Sequence, residues 1–279
     1  MNVLDAINIF RDHQVATLKR STQLSYDYLL VKLQWCLADR PLDSISTDDV
    51  SKFLDSIVGG ASKSTRRLRY AQVKAFFNFI IDRCELNIKN PCAYPVLSKQ
   101  FKTPKQIPKR ILDKEFVDEL IYKTSSSRDR LILELQARCG LRVGEVLKLT
   151  VADVSDRKLI IREPKSGRDA EIAFMPEQIA KRLGEYIHNK GLRPDDRLFP
   201  ICYSTVRSLI RRLGLQFNMK ISPHDFRRHS ATFASRNGVP LEIISKVLLR
   251  HHDLKTTQVY LGKVTDSEAI RWMDTLHGK

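Results

Sequence analysis

Apolar residues recur at helical spacing through the first ninety positions. The spacing predicts helices over 3–17 and 21–38, the second carrying Leu24, Tyr28, Leu29, Leu33 and Cys36 after a capping serine, Ser21. Pro41 breaks that run. Ser46, Thr47, Asp48 and Asp49 form a helix start, with acids in the first turn where the helix dipole favours them. The helix they open carries Val50, Phe53, Leu54 and Ile57 and stops at Gly59 and Gly60. A fourth helix starts near Ser64 and runs through Tyr70, Val73, Phe76, Phe77 and Ile80 to about Cys84. No strand period appears in this half, so a small all-helical bundle is expected. From Asn90 to Pro108 the pattern dissolves into NPCAYPVLSKQFKTPKQIP, which reads as an extended, basic linker.

Helical spacing returns after Ile111. Asp113 is placed to cap a helix through Phe116, Leu120 and Ile121. A second helix starts at Ser127 and buries Leu131, Ile132, Leu133, Leu135 and Ala137 before Gly140, and a third follows over Val143–Leu149. The period then changes. Arg157–Arg162 and Ala170–Phe174 read as two strands of a hairpin whose turn holds Lys165, and Arg197–Pro200 as a further edge strand. Helices follow over 176–189, 204–216, from Ser222–Pro223 onward, and over 241–250, where Leu241, Ile243, Ile244, Val247 and Leu248 make a core face. Residues 256–260 read as a polar loop. The fold class is therefore mainly α with a small antiparallel β-hairpin or sheet, in two domains. Residues 1–92 form a helical bundle, 93–110 a linker, and 111–279 a mixed α+β domain with a C-terminal helix from about 266.

Composition narrows the partner. The formal net charge is +16 over 279 residues, with 42% hydrophobic residues. Such a chain builds real cores and suits a polyanion, nucleic acid before an anionic membrane. The charge is uneven: residues 101–110 hold Lys102, Lys105, Lys109 and Arg110 and no acid. The start of the fourth helix adds Arg66, Arg67, Arg69 and Lys74, a face for phosphates or simply for solvent. No run is long enough to span a bilayer, and the N-terminus lacks a signal-peptide layout, so a cytoplasmic protein is expected. Five scattered cysteines without a C-x-x-C pair read as reduced structural residues.

The chemistry lies in a few cations, imidazoles and one tyrosine. Arg142 sits at a turn in an apolar stretch, where a guanidinium suits bidentate phosphate binding; its alternative is a helix-face pair with Glu145. Lys165, at a hairpin tip, is either a solvated charge or a proton donor reaching a nucleic-acid groove. His224 and Arg227 are three apart on one helix and so share a face near an anion-binding N-terminus, unless His224 is structural. Arg228 and His229 point elsewhere, to backbone phosphates or solvent. His251 follows an apolar helix, and Tyr260 comes nine residues later. A phenol has an ordinary pKa of about 10, so nucleophilic use of Tyr260 needs a base and a cationic site.

The order Arg142, Lys165, His224-x-x-Arg227, His251, Tyr260 resembles the tyrosine recombinases, the phage integrase family, and in length its Xer-like members. CGLRVGEVLKLTVADV looks like the family's first-arginine box, EPKSGRDAEIAF like its lysine-bearing hairpin, HDFRRHSATFAS like its His-x-x-Arg box and LLRHHDLKTTQVY like its final box. The resemblance covers most of residues 111–265; the N-terminal bundle is compatible with the family's core-binding domain. Three positions depart from the pattern: Arg250 stands where the family usually has glycine, Arg228 where many members have histidine, and Gly262 two residues after the tyrosine, where histidine is common.

The resemblance implies a site-specific recombinase that cuts and rejoins double-stranded DNA. Tyr260 would form a 3′-phosphotyrosine and release a 5′-hydroxyl. Arg142 and Arg227 would hold the non-bridging oxygens, His224 would assist proton removal from Tyr260, His251 would donate a hydrogen bond to the phosphate, and Lys165 would protonate the leaving oxygen. Glu145 would orient its neighbours. No metal or nucleotide cofactor is required by this chemistry. The tail, with Ala269, Ile270, Trp272, Met273 and Leu276 at helical spacing, would dock into a second copy in a tetramer on DNA, or pack on its own domain. Two other activities stay open: nicking and closing of the type IB topoisomerase kind, and DNA binding without catalysis.

Overall fold

The computed structural model describes residues 1–102, 111–164, 169–261, 270 and 273–275. Lys105, Lys109, Lys165 and most of the tail from 266 lie outside the described residues. The chain divides into two compact units, Met1–Ile107 and Pro108–Lys279.

The first unit is helical: α1 (Val3–Thr17), α2 (Arg20–Leu37), α3 (Thr47–Val58), α4 (Lys63–Arg83) and α5 (Pro95–Gln100). Its helix starts are fixed by short polar side chains. Asn2 accepts from the Asp5 amide at 2.8 Å, and Ser46 and Asp49 form a reciprocal capping box on α3. The core centres on Phe10, whose ring meets Tyr26, Phe76 and Phe79 edge-on at 5.2–5.3 Å. In α2 the inward face is Leu29, Leu30, Leu33 and Leu37, while Leu24 and Tyr28 are exposed. The predicted stripe is thus rotated, and the Arg69 guanidinium covers the outward Tyr28 ring at 4.5 Å.

The expected extended linker is partly a helix. Asn90 donates to Lys74 O at 3.0 Å and to Asn78 Oδ1 at 2.6 Å, and Tyr70 donates to Cys92 O at 2.8 Å, so the turn at Pro91 is locked onto α4. Leu97 and Phe101 then bury themselves in the same core, Phe101 stacked on Tyr70. Prolines broke the sequence periodicity, but Pro95 merely begins a helix, where its missing amide costs nothing.

The second unit contains α6 (Lys114–Lys123), α7 (Ser127–Arg138), α8 (Val143–Val146), β1 (Val154–Ser155), β2 (Lys158–Arg162), β3 (Ala170–Phe174), α9 (Glu177–Lys190), α10 (Tyr203–Leu215), α11 (Pro223–Arg236), α12 (Leu241–Ile243) and α13 (Leu254–Leu261). Its organising element is α7. Every residue from Leu131 to Ala137 is buried, as expected of a helix surrounded by others, and α7 packs against α6, α8, α9 and α11. Glu134 is tolerated within that shell because Arg182 of α9 grips it through two bonds of 2.8 and 3.1 Å.

β1, β2 and β3 form an antiparallel sheet in that order, with Ile160 opposite Ile172. Leu159, Ile161 and Ala173 face the core. The strand expected at Arg197–Pro200 reduces to one bridge between Thr150 and Arg197, and Leu198 and Phe199 are core residues. The helix expected over 241–250 is instead α12 followed by a π-helical turn, Ile244–Leu248, closed by Leu249 N to Ile244 O at 2.9 Å. The wider turn rotates the face: Ile244, Ser245 and Leu249 are buried, whereas Ile243 and Val247 are not. Residues 256–260, expected as a loop, lie within the helix Leu254–Leu261. Asp253 starts this helix by accepting from the Lys255 amide at 2.9 Å.

Candidate active site

Four segments distant in sequence converge where α7 ends. Gly140 there has φ +62°, and a Cβ on it would lie 2.7 Å from Leu248 O. Only glycine permits this approach, which sets the 140–142 turn against the turn before His251. Arg227 fastens the two. Its guanidinium, reaching from α11, donates to Gly140 O through one nitrogen and to Leu249 O through another, and the side chain is 1% exposed.

Arg142 is the N-cap of α8. Its amide donates to Glu145 Oε2 at 2.9 Å and its Nη1 to Oε1 at 2.6 Å, so the plain helix-face pair is present. The Glu145 carboxylate does more than that. It also takes Arg250 Nη2 at 2.7 Å and lies 3.9 Å from Arg227 Nη1. Burial raises its pKa, but Arg250, Arg227 and Arg142 outweigh that and hold it below the usual carboxylate value. One buried carboxylate thus gathers three guanidinium groups, the most exposed being that of Arg142.

His251 borders the same cluster. Its amide donates to Ser245 O at 2.8 Å, and its Nδ1 lies 2.9 Å from Thr257 Oγ1. Thr257 commits its own proton to Ser245 Oγ at 2.9 Å, which makes Nδ1 the donor and leaves the lone pair of the neutral ring on Nε2. Burial, then the charges of Arg227, Arg142 and Arg250, push the imidazole down to about 4. His224 is exposed on the first turn of α11, behind Pro223 and the Ser222–Asp225 capping box. Tyr260 has its backbone in α13, which packs on α11.

The structure therefore brings Arg142, Glu145, Arg227 and His251 together, places His224 on the Arg227 helix and Tyr260 on its neighbour. Arg228 needs correction: it is buried and paired with Asp225 at 2.7 Å, not turned to solvent. His229 is buried too, its Nδ1 bonded to Leu112 O at 2.8 Å. In the first unit Arg69 is half-buried and engaged with Ser25 O and Gln72, and Arg66 pairs with Asp55, whereas Arg67 and Lys102 are exposed and Lys74 is half-buried. Arg250 is the residue sequence reasoning missed. Its φ of +52° is a left-handed conformation that costs a side-chain-bearing residue about 1–3 kcal/mol. Its signal in the sequence is an arginine where glycine is usual.

Residues 110–266 match the model of the phage integrase family. The chain belongs to that family. Residues 15–83 separately match the family's N-terminal SAM-like domain. The tyrosine recombinase XerA of Pyrococcus horikoshii is 32% identical over 78% of this chain and 75% of its own length. XerA of Saccharolobus solfataricus is 27% identical, covering 80% and 76%. Among solved structures, a lambda integrase dimer bound to a core site superposes with a TM-score of 0.77 at 16% identity, covering 95% of this chain and all of that one, a likeness of fold. The protein is a Xer-like tyrosine recombinase, a site-specific enzyme that cleaves and rejoins DNA. Among the described residues, no helix is long and apolar enough to cross a membrane.

Proposed function

We propose that Arg142, Arg227 and His251 hold the scissile phosphate of double-stranded DNA while Tyr260 attacks it, giving a 3′-phosphotyrosine and a free 5′-hydroxyl. The observation that carries this reading is the arginine cluster: three guanidinium groups meet around one carboxylate, with a histidine on their border. A surplus of fixed donors in a partly water-excluded site is what a phosphoryl transition state needs. Covalent storage of the phosphoester in Tyr260 lets the same site reseal the strand. His224, exposed beside Arg227 on α11, takes the tyrosine proton, and Lys165 supplies one to the leaving oxygen.

His251 enters this scheme as a neutral ring with its lone pair on Nε2. A bound phosphate offsets the three arginine charges and favours proton uptake there, after which Nε2 donates to a phosphate oxygen. In the free protein the sign is fixed by the direction of the shift. The folded value of about 4 lies below the ordinary 6.5, so the unfolded chain binds the extra proton first. Stability contributed by neutral His251 is complete above about pH 6.5 and is lost as pH falls toward 4. Imidazole NMR should find His251 neutral at pH 5.5 in the free protein and should find its pKa raised when duplex DNA is added. An unshifted titration near 6.5 in the free protein contradicts this.

The first unit acts as the core-binding domain and the second as the catalytic one, with work on DNA in the cytoplasm. Ile270 and Met273 are exposed in the single chain. They suit docking of the tail into another copy within a tetramer on DNA. Two labelled duplexes bearing one target site test both points. The full chain is expected to exchange strands between them, and a chain ending at residue 265 to bind singly without cooperative assembly. Relaxation of supercoils without exchange would favour the topoisomerase alternative, and unchanged cooperativity in the shortened chain would remove the role given to the tail.

A further inference from the structure

The strand β3 is inverted relative to its apolar pattern. In AEIAF the inward positions are Glu171 and Ala173, while Ile172 and Phe174 are half-exposed. A carboxylate in the core calls for a cation, and Arg250 supplies one, its Nε lying 3.5 Å from Glu171 Oε2. The same side chain, 3% exposed, gives Nη2 to Glu145 at 2.7 Å and Nη1 to Leu248 O at 3.0 Å. One arginine thus spans β3, α8 and the π-helical turn, and β3 packs directly on that turn. Arg250 reaches this position only because its backbone adopts the left-handed conformation, φ +52°.

We infer that Arg250 is a positioning residue: by taking Glu145 Oε2 beside the Arg142 pair on Oε1 and by meeting Glu171, it adds the positive charge that leaves the arginine cluster with an excess directed at the phosphate. This rests on the proposed phosphate site. Charge balance makes the point. Without Arg250, Glu145 is divided between Arg142 and Arg227 and offsets more of their attraction for an anion. With it, the cluster keeps an excess positive charge. Glycine at this position would suit the backbone better, yet it would leave Glu171 facing inward without this partner. Arg250 and Glu171 therefore belong together as a pair.

The test compares the wild type with Arg250→Gly, Arg250→Lys and the double variant Arg250→Gly/Glu171→Gln. Covalent adduct formation on a nicked suicide duplex is followed at saturating DNA, with duplex affinity and thermal melting measured alongside. Arg250→Gly is expected to form adduct about 100-fold more slowly, the scale of a misplaced catalytic group, with duplex affinity little changed. Arg250→Lys, which keeps the charge, and the double variant, which also removes the negative charge that Arg250 meets on β3, are each expected to recover part of the rate. An Arg250→Gly rate equal to wild type overturns the inference, as does a loss that neither companion variant relieves. A wild type that forms no adduct at all would instead overturn the reading of the phosphate site itself.

Discussion

Tyr260→Phe forms no covalent adduct with DNA, while its affinity for a duplex stays that of the wild type. The expected loss is complete because the change removes one oxygen, the atom that would become esterified. The scaffold has little reason to suffer. Tyr260 lies on α13, which is held through Thr257, Ser245 and the packing on α11. The measurement is gel detection of protein-linked DNA on a suicide duplex together with an affinity titration. Adduct formation by Tyr260→Phe would assign the nucleophile elsewhere.

Arg227→Ala is expected to cost both activity and stability. Arg227 is the largest side chain below 2% exposure among the described residues, and its guanidinium satisfies Gly140 O and Leu249 O while facing Glu145. Its removal strands two buried carbonyls, each worth about 1–3 kcal/mol, so a fall of about 2–6 kcal/mol in unfolding free energy is expected in urea titrations. Arg227→Lys separates the two losses. It keeps one charge but cannot reach both carbonyls and a phosphate, and the cleavage rate should drop about 100- to 1000-fold, the cost of losing a fixed donor at a developing charge. Wild-type cleavage by Arg227→Lys would show that the guanidinium serves only as a structural tie.

Much of this site was legible in the sequence, for reasons that differ by residue. His224 and Arg227 share a helix, so their spacing alone placed them on one face. Arg142 was betrayed by a charge in an apolar turn. The core of the first unit was read from Tyr70, Val73, Phe76, Phe77 and Ile80, all buried in α4. What failed were positions whose environment is supplied from far away. Arg250 reads as an ordinary helix-end cation until Glu145, 105 positions earlier, is found beside it. Arg228 was read as turned to phosphates or solvent, whereas it is buried and paired with Asp225, three positions earlier on the same helix. The helix around Tyr260 was hidden by Thr256, Thr257 and Gln258, polar residues of which Thr257 is fully buried and hydrogen-bonded. The π-helical turn moved the core face of 241–250 by one position, which no periodicity argument anticipates.

The central claim, that strand cleavage runs through a phosphotyrosine at the end of α13, has one direct measurement. Protein trapped on a suicide duplex is digested with nuclease and trypsin, and the peptides are sequenced by mass spectrometry. The peptide Thr256–Lys263, TTQVYLGK, is expected to carry a nucleotide joined through its 3′-phosphate to Tyr260. A nucleotide on any other residue, or protein that cuts DNA with no peptide so modified, would contradict it.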